Sequence, residues 1–248
     1  MTSDPSTTAN HPSLVPPKAS SFQRIDMGAR QPVFDFYKDS ASPLWGITVK
    51  LDVTTLRRIC REQSFKYLHA SLYIFSLTVN KYAPMRYRVR TDEKTGEKYV
   101  VCHDTVHPSV TLMRRDGTET YGYSFFQAAN NFADFAAYAT AAEKEFHSNS
   151  KGLDGNPRDD VCHGSVLPWL DFMMYEHAVG RLSMPSIPKY TFGKLVKDES
   201  TGRVTQALAL HVHHGLMDGL HVGRFMEMLQ ENLDNAESLL LSNTGNSA

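Results

Sequence analysis

The sequence predicts a mixed α/β fold in which helices lie on one side of a β-sheet. Apolar segments of strand length recur along the chain, and VTQALALHV, residues Val204–Val212, is the clearest of them. Helical segments lie between some of these strands but do not alternate strictly with them, which favours a mixed sheet. The chain has 248 residues, 41% hydrophobic and 21% charged, which is enough for one large domain with a substantial core.

The first half of the chain is predicted to begin with a strand at Gly46–Asp52, followed by helices near Val53–Gln63 and Leu68–Tyr82. The second helix carries several large apolar side chains and should be largely buried. The segment DEKTGEK, residues Asp92–Lys98, indicates a hairpin turn around Gly96. Further strands are expected near Lys98–Cys102 and Ser109–Arg114.

The second half is predicted to contain an alanine- and aromatic-rich helix at Gln127–Phe146, a polar loop at Ser148–Asp160 and a charged turn at Lys197–Arg203. Asp218 is a favourable N-cap, and the apolar spacing after it predicts a final helix over Gly219–Asn232. Strands are expected near Val161–Ser165, Leu170–Glu176, Lys189–Lys197 and Val204–Val212.

Both ends of the chain are expected to lie outside the folded domain, which spans residues 22–238. Residues 1–21 are rich in serine, threonine and proline, a composition typical of mobile or extended segments. Residues 239–248 are expected to form a frayed tail. The sequence shows no internal repeat, so the body is predicted to be one domain.

Charge and composition exclude several classes of function. The net charge of −1 shows no excess of positive charge of the kind that binds nucleic acid. No apolar run approaches the roughly 20 residues that span a bilayer. The N-terminus lacks the pattern of a secretory signal. The three cysteines are scattered and odd in number, which suits a reducing compartment. We therefore expect a cytoplasmic protein without nucleic-acid or membrane partners.

The run HHGLMDG, residues 213–219, has the spacing HHxxxDG and follows the predicted strand that ends at Val212. A histidine fixed between a strand and a helix can take the proton of a bound hydroxyl and make the oxygen a nucleophile toward an activated acyl group. A thioester is reactive enough to need no nucleophile from the enzyme, and no GxSxG elbow is present. The motif therefore predicts direct acyl transfer with His214 as the base.

Other interpretations of these histidines remain open. His211 and His221 lie outside the motif and are interpreted as structural or solvent-exposed residues. A metal site is the second alternative, because four histidines lie within eleven residues. Alternation along the strand would place His211 and His213 on one face and His214 on the other, and no HExxH or CxxC spacing is present. We expect no metal.

Several segments, in order and spacing, resemble the chloramphenicol acetyltransferase family from about Phe22 to Asn235. Arg30 precedes the aromatic and acidic stretch QPVFDFY, and VHP at residues 106–108 is followed by TET at 118–120. SVLPW at residues 165–169 and TFGK at 191–194 follow, and the HHxxxDG motif completes the pattern.

The resemblance implies a role for each matching residue. His214 would be the general base, and Ser165 would donate a hydrogen bond to the oxyanion of the tetrahedral intermediate. Thr191 would hold a water that assists the same intermediate. Asp218 would form a buried ion pair with Arg30 and hold the catalytic loop. Acetyl-CoA would be the co-substrate, with Lys194 near its phosphates.

The resemblance also implies an acceptor pocket, and chloramphenicol is the acceptor it favours. The aromatic side chains would suit a nitrophenyl group. The matching positions are Tyr37, Trp45, Tyr121, Tyr175 and His177. Three residues depart from the family's usual choice: His177 replaces an aliphatic residue, Lys189 a small branched one and Pro43 a cysteine. These changes could point to a different primary alcohol, and the aromatic residues could instead serve core packing.

The fold implied by the resemblance is a two-layer sandwich that forms a homotrimer, with active sites between subunits. A related alternative is the catalytic domain of a 2-oxo-acid dehydrogenase complex, which uses HxxxDG and lipoyl acceptors but usually has Asp in place of His213. Condensation and plant acyltransferase families share HHxxxDG but need two such domains in one chain. A protein that only sequesters small aromatic molecules is the alternative from another class.

Overall fold

The computed structural model describes residues 19–148, 158–178 and 184–242. Within them the α-helices are α1 (Gln31–Tyr37), α2 (Thr54–Glu62), α3 (Tyr67–Lys81), α4 (Phe132–Ser148), α5 (Gly219–Asp234) and α6 (Ala236–Leu241). The strands are β1 (Phe22–Ile25), β2 (Leu44–Asp52), β3 (Tyr87–Thr91), β4 (Lys98–His103), β5 (His107–Met113), β6 (Tyr121–Phe125), β7 (Val161–Val166), β8 (Lys189–Lys197) and β9 (Val204–His213).

The strands form two sheets. A six-stranded sheet has the order β2-β9-β8-β7-β5-β6, and a small antiparallel sheet has the order β1-β4-β3. In the large sheet β7 is parallel to its neighbours β5 and β8, whereas the other neighbours are antiparallel. The prediction of a mixed sheet is therefore confirmed. β2 and β6 are its two edges.

Helices cover one face of the large sheet. Phe75 of α3 contacts the rings of Tyr190 and Phe192 on β8 and that of Phe225 on α5. Side chains alternate along a strand, so the neighbours of Tyr190 on β8 point to the opposite face. We refer to that opposite face, away from α3, as the far face.

A fully buried arginine connects the two sheets. The guanidinium of Arg88 on β3 donates hydrogen bonds to the backbone carbonyls of Met85, Tyr87, Asp159 and Val161. Buried polar groups are costly unless they are hydrogen-bonded, and these carbonyls satisfy the guanidinium. Because Val161 is the first residue of β7, Arg88 anchors the start of the strand that carries Ser165.

Most predicted elements are confirmed to within a few residues. The strand at Lys189–Lys197 has the predicted bounds, and the hairpin turn lies at Gly96, whose φ of +72° is in the left-handed region that glycine adopts easily. The helix predicted from Gln127 begins only at Phe132. The side chain of Asn131 accepts a hydrogen bond from the backbone N–H of Asp134 and so caps the helix there.

The strand predicted at Leu170–Glu176 is absent; this segment is an irregular loop. Its apolar residues suggested a buried strand, yet Met173 and Met174 are 88% and 79% exposed in the single chain. One end of the loop is held to the sheet by the hydrogen bond from the backbone N–H of Lys194 to the carbonyl of Leu170. The prediction failed because an apolar sequence does not show whether its side chains are buried within the single chain.

The chain also contains elements that the sequence did not predict, namely α1, β1, β3, β6 and α6. α6 extends through Leu241, and Leu240 is buried, so order continues three residues past the predicted boundary at 238. At the other end, Ser20 donates its backbone N–H to Asp160 and its hydroxyl accepts one from Thr105. Residues 1–18 and 243–248, and most of the predicted loop at 148–160, lie outside the described residues.

The structure also shows the state of the three cysteines and the length and polarity of the helices. Cys60 and Cys162 are buried, Cys102 is partly buried, and all three are free. In the part of the chain that the structure describes, no helix is both long and apolar enough to cross a membrane.

Candidate functional site

The HHxxxDG motif forms the turn between β9 and α5. The strand ends at His213, and α5 begins at Gly219 with Asp218 as its N-cap, whose side chain accepts hydrogen bonds from the backbone N–H groups of Leu220 and His221. The predicted N-cap is thereby confirmed. We refer to His214 with Arg30, Tyr37, Trp45 and Asp218 as the His214 corner.

The His214 ring lies between two aromatic side chains. It stacks on Tyr37 with a centroid separation of 4.4 Å and an interplanar angle of 9°, and it lies 5.4 Å from Trp45. The backbone N–H of His214 donates to the carbonyl of Pro43 at 2.8 Å. Nδ1 is buried and has no hydrogen-bond partner among the described residues, so a ligand from solvent could approach the ring only at Nε2.

Arg30 and Asp218 form the expected pair, with 2.6 Å between Nη1 and Oδ2. The other carboxylate oxygen of Asp218 contacts Nδ1 of His221 at 2.7 Å. Burial acts to raise the pKa of Asp218, but the hydrogen bonds and charges of Arg30 and His221 hold that pKa well below its ordinary value. In the single chain the side chains are 24% and 35% exposed, so the pair is partly exposed and not buried as expected.

His213 is packed inside the turn. It is buried, and its Nδ1 accepts a hydrogen bond from the backbone N–H of Gly215 at 3.1 Å. Burial lowers the pKa of His213 to about 4, so the neutral ring is the stable form at neutral pH. The first histidine of the motif therefore supports the turn that carries the second.

Ser165 and Thr191 lie side by side on the far face. They are register partners on β7 and β8, and the hydroxyl of Thr111 on β5 donates to Oγ of Ser165 at 3.4 Å. Thr191 is fully buried, and its Oγ1 lies 3.0 Å from Nε2 of His177. The two hydroxyl groups that the resemblance singled out are thus adjacent in the folded chain.

His177 contacts Thr191 of this pair, Tyr175 contacts His177, and Lys194 lies further along β8. His177 contacts Tyr175 edge to face at 4.9 Å between ring centroids. Burial, followed by the charges of His211, Lys189 and His163, lowers the pKa of His177 to about 4. Lys194 lies three residues beyond Thr191 on β8 and is exposed.

The His214 corner and the Ser165–Thr191 pair are separate within one chain. Thr191 pairs with Ala209 of β9, and His214 lies five residues further along. At a rise of about 3.3 Å per residue, this places His214 on the order of 15 Å from the hydroxyl groups. A base and an oxyanion donor must both reach one acyl centre, so these side chains cannot serve the same reaction within one chain.

The predicted aromatic residues also fall into separate places. Tyr37 and Trp45 belong to the His214 corner, where the indole N–H of Trp45 donates to the carbonyl of Met217. Tyr121 is on β6, at the opposite edge of the large sheet from Trp45 on β2, and is 45% exposed. The predicted pocket is therefore not assembled in one copy of the chain.

Three residues near the Ser165–Thr191 pair were not predicted as site residues. The sequence pattern did not single out His163, and Lys189 was noted only as a departure from the family's usual residue. His163, Lys189 and His211 lie directly opposite one another on β7, β8 and β9, and we refer to them as the basic row. His211 was predicted to be structural or solvent-exposed, and it is half-buried beside His177. The spacing of two between His163 and Ser165, and between Lys189 and Thr191, is the signal that could have grouped them on one face.

Metal-holding groups and cavities among the described residues also bear on the site. Among those residues, no group of three or more His, Cys, Asp or Glu side chains could hold a metal ion. A cavity of about 900 Å³ lies between α3, α4 and α6, and its lining includes His69 and Glu143 but no predicted site residue.

Comparison with known proteins finds relatives that match most of the chain. The family model described as chloramphenicol acetyltransferase matches residues 20–230. The chloramphenicol acetyltransferase of Clostridioides difficile is 28% identical over 85% of this chain and 95% of its own length. That of Clostridium perfringens is also 28% identical, over 85% and 97% of the two chains.

Solved structures show the same fold. A chloramphenicol acetyltransferase superposes with a TM-score of 0.71 at 22% identity, covering 86% of this chain and all of the other. The truncated catalytic core of the 2-oxoacid dehydrogenase multienzyme complex from Thermoplasma acidophilum has a TM-score of 0.60 at 16% identity, covering 86% and 99%. These likenesses show the fold alone, and the family is shown by the model that matches residues 20–230. The chain therefore belongs to the chloramphenicol acetyltransferase family of acyltransferase enzymes.

Proposed function

We propose that the protein transfers the acetyl group of acetyl-CoA directly to the primary hydroxyl of a small acceptor. Chloramphenicol is the first candidate, because the curated relatives carry that name. The observation that carries the proposal is the His214 corner, in which a stacked imidazole with one buried nitrogen is held by the HHxxxDG turn.

His214 acts as the general base in this proposal. Nε2 takes the proton of the acceptor hydroxyl as the oxygen attacks the thioester carbonyl. The C–O bond of the new ester forms, the C–S bond of the thioester breaks, and the proton passes from His214 to the departing sulfur. Stacking on Tyr37 and the contact with Trp45 support this role, because they restrict the ring to one orientation.

Ser165 and Thr191 stabilise the tetrahedral intermediate in this proposal. The Ser165 hydroxyl donates to the oxyanion, and Thr191 holds a water that adds a second donor. Their adjacency on the far face supports the assignment, since both hydroxyl groups can serve one oxyanion. Lys194, exposed beyond Thr191 on β8, is proposed to contact the phosphates of coenzyme A.

Each active site forms between two copies of the chain in this proposal, with the His214 corner from one copy and the far face from the next. The separation of about 15 Å between His214 and Thr191 within one chain supports this. Exposed apolar side chains lie beside both halves, Phe36 next to Tyr37 and Met173 and Met174 in the loop after β7. Such head-to-tail contacts close into a ring, and the family resemblance favours a homotrimer.

The acceptor then lies between aromatic groups of two copies. Tyr37 and Trp45 come from the copy that supplies His214, and Tyr175 and His177 come from its neighbour. Tyr121, exposed on the edge strand β6, is proposed to contact the acceptor from the same neighbour. Asp218 and Arg30 do not touch the acceptor in this proposal but hold the turn that carries the base.

The test is release of the coenzyme A thiol from acetyl-CoA in the presence of chloramphenicol. We expect turnover by the wild type and a loss of about 10²–10⁴-fold in His214→Gln, the range attributed to general bases. His147→Gln, at an exposed position on α4, is the matched control and should keep full activity. Turnover that survives in His214→Gln would contradict the base assignment, and turnover only with another primary alcohol would replace chloramphenicol as the acceptor.

A further inference from the structure

The loop that follows β7 places an imidazole against the Ser165–Thr191 pair. Nε2 of His177 lies 3.0 Å from Oγ1 of Thr191, within hydrogen-bond distance. Thr191 is fully buried on β8, and a buried hydroxyl is costly unless it is hydrogen-bonded. The contact with His177 therefore restricts the direction in which the Thr191 hydroxyl points.

Two other rings hold the imidazole of His177 in its orientation. The ring of Tyr175 lies 4.9 Å from it, between centroids, at an interplanar angle of 84°. The ring of His211 lies 5.4 Å from it at an angle of 89°. Both contacts have the edge-to-face geometry that aromatic pairs prefer. Because two neighbours pack against the His177 ring, its Nε2 stays directed at Thr191.

A glycine on the edge strand makes room for His211. Gly46 of β2 is the register partner of His211 on β9, so the two positions share one face of the sheet. A Cβ added at Gly46 would lie 2.4 Å from Cδ2 of His211, so the imidazole fills the space that a larger residue at position 46 would need. The orientation of His177 is therefore supported from β2 through β9.

The contact leaves the Thr191 hydroxyl able to act on a substrate. Burial is the main cause that lowers the pKa of His177 to about 4, so the ring is neutral at neutral pH. A neutral imidazole has one donor nitrogen and one acceptor nitrogen, and a hydroxyl has one donor and two acceptor positions. In either tautomer His177 takes one position of the hydroxyl, and at least one more hydrogen bond can be made toward the acyl group.

We propose that His177 is a positioning residue for acetyl transfer, which fixes the Thr191 hydroxyl through Nε2 and acts on the oxyanion only through that hydroxyl. This inference rests on the proposed acetyl transfer and gives His177 a role in the reaction beyond its place beside the acceptor. It assigns Thr191 a hydrogen-bond partner from the same copy of the chain, so the second contribution to the oxyanion is oriented before substrate binds.

The experiment compares His177→Leu with His177→Gln in steady-state kinetics, using acetyl-CoA and a primary alcohol that the wild type acetylates. Leucine fills similar space without a polar atom, whereas the glutamine amide can take the place of Nε2. We expect His177→Leu to lower kcat by about 3- to 10-fold, the usual worth of a neutral hydrogen bond. His177→Gln should keep kcat within about twofold of the wild type. The fall lies in kcat because the oxyanion forms only after both substrates are bound.

A double-mutant cycle with Thr191→Val shows whether His177 acts through Thr191. Valine keeps the branched shape of threonine and removes the hydroxyl. In the Thr191→Val background His177→Leu should lower kcat no further, because the group that His177 positions is gone. A direct contact of His177 with the oxyanion would instead give the same fall in both backgrounds, which would overturn the inference.

His147→Leu is the matched control, because it makes the same substitution at an exposed position on α4. It should keep wild-type kcat and KM. The inference is wrong if His177→Leu keeps full kcat, or if glutamine and leucine at this position lose the same amount. A change confined to the KM for the acceptor would also overturn it, by making His177 a binding residue alone.

The proposed acetyl transfer can fail separately. If the wild type releases no coenzyme A with any primary alcohol, chloramphenicol included, the same cycle is measured by urea unfolding. A shift in the unfolding midpoint by Thr191→Val that is smaller in His177→Leu than in the wild type would support the positioning of Thr191 in a protein that does not transfer acetyl groups. Equal shifts in the two backgrounds would overturn it.

Discussion

The His214 corner and the far face of the large sheet are built in different ways. The corner is held by contacts close to a turn: a helix cap at Asp218, the charge of Arg30 and the stacked ring of Tyr37. The far face is organised by register, which brings His163, Lys189 and His211 together from three strands. The comparison teaches that the position of the proposed base depends on local geometry, whereas the arrangement of the far face depends on strand alignment.

Ser165→Ala tests the far face with the largest expected effect. Removing an oxyanion donor lowers kcat by about 10²–10³-fold, with little change in the KM for either substrate. Thr111→Val is the control, because it removes only the hydroxyl that donates to Ser165 at 3.4 Å and conserves volume. Steady-state kinetics on both variants would measure the difference. A Ser165→Ala enzyme that keeps more than a tenth of wild-type kcat would contradict the role.

Mixed oligomers test whether the two regions meet between copies of the chain. His214→Gln lacks the proposed base and Ser165→Ala lacks the proposed oxyanion donor, so each variant alone should be nearly inactive. When the two are co-expressed with different tags, random assembly joins an intact His214 to an intact Ser165 at about one site in four. The total of all oligomers purified from the co-expression should therefore recover about a quarter of wild-type turnover. Each variant contributes the half of the active site that the other variant lacks.

The outcome of that mixing is decisive for the architecture. Each variant co-expressed with a second-tag copy of itself is the control and should stay inactive. Mixed oligomers that are no more active than these controls would contradict an active site shared between two copies of the chain.

Asp218→Asn tests the corner with the smallest expected effect. Asparagine still caps α5, so the substitution removes mainly the carboxylate charge that pairs with Arg30 and contacts His221. Because both side chains are partly exposed, we expect a loss of about 1 kcal/mol in the free energy of unfolding. We also expect a several-fold fall in kcat, since the turn that carries His214 is held less firmly.

The stability effect of Asp218→Asn should depend on pH in a defined direction. The pKa of Asp218 is lowered in the folded protein, so its contribution is fully present above the unfolded carboxyl pKa of about 3.9. It is lost as the pH falls from there through the lower folded value. Urea unfolding of wild type and variant between neutral pH and pH about 3 would measure this. A stability gap that stays constant over that range would show that the ion pair is not its origin.

The sequence predicted the His214 corner better than the far face, because the corner depends on local geometry and the far face on strand register. The motif, the N-cap at Asp218 and the strand before it all lie within a short stretch, so local rules apply. The contribution of His163 depends on Lys189 and His211 lying opposite it, and no local pattern states that register. The loop at residues 170–176 was mistaken for a strand because apolar Met173 and Met174 do not reveal that the single chain leaves them exposed.

The alternation of side chains along β7 has a consequence for how this enzyme can change over evolutionary time. A Cβ at Gly164 would lie 2.1 Å from the Tyr190 ring, so this position is closed to larger residues by the core. Its neighbours His163 and Ser165 point the other way and take no part in that packing. Mutations at His163, Lys189 and His211 would therefore change the side chains beside Ser165 and Thr191 while the hydrophobic layer beneath stays intact. Sequence change on the far face can therefore accumulate without repacking of the core between β8 and α3.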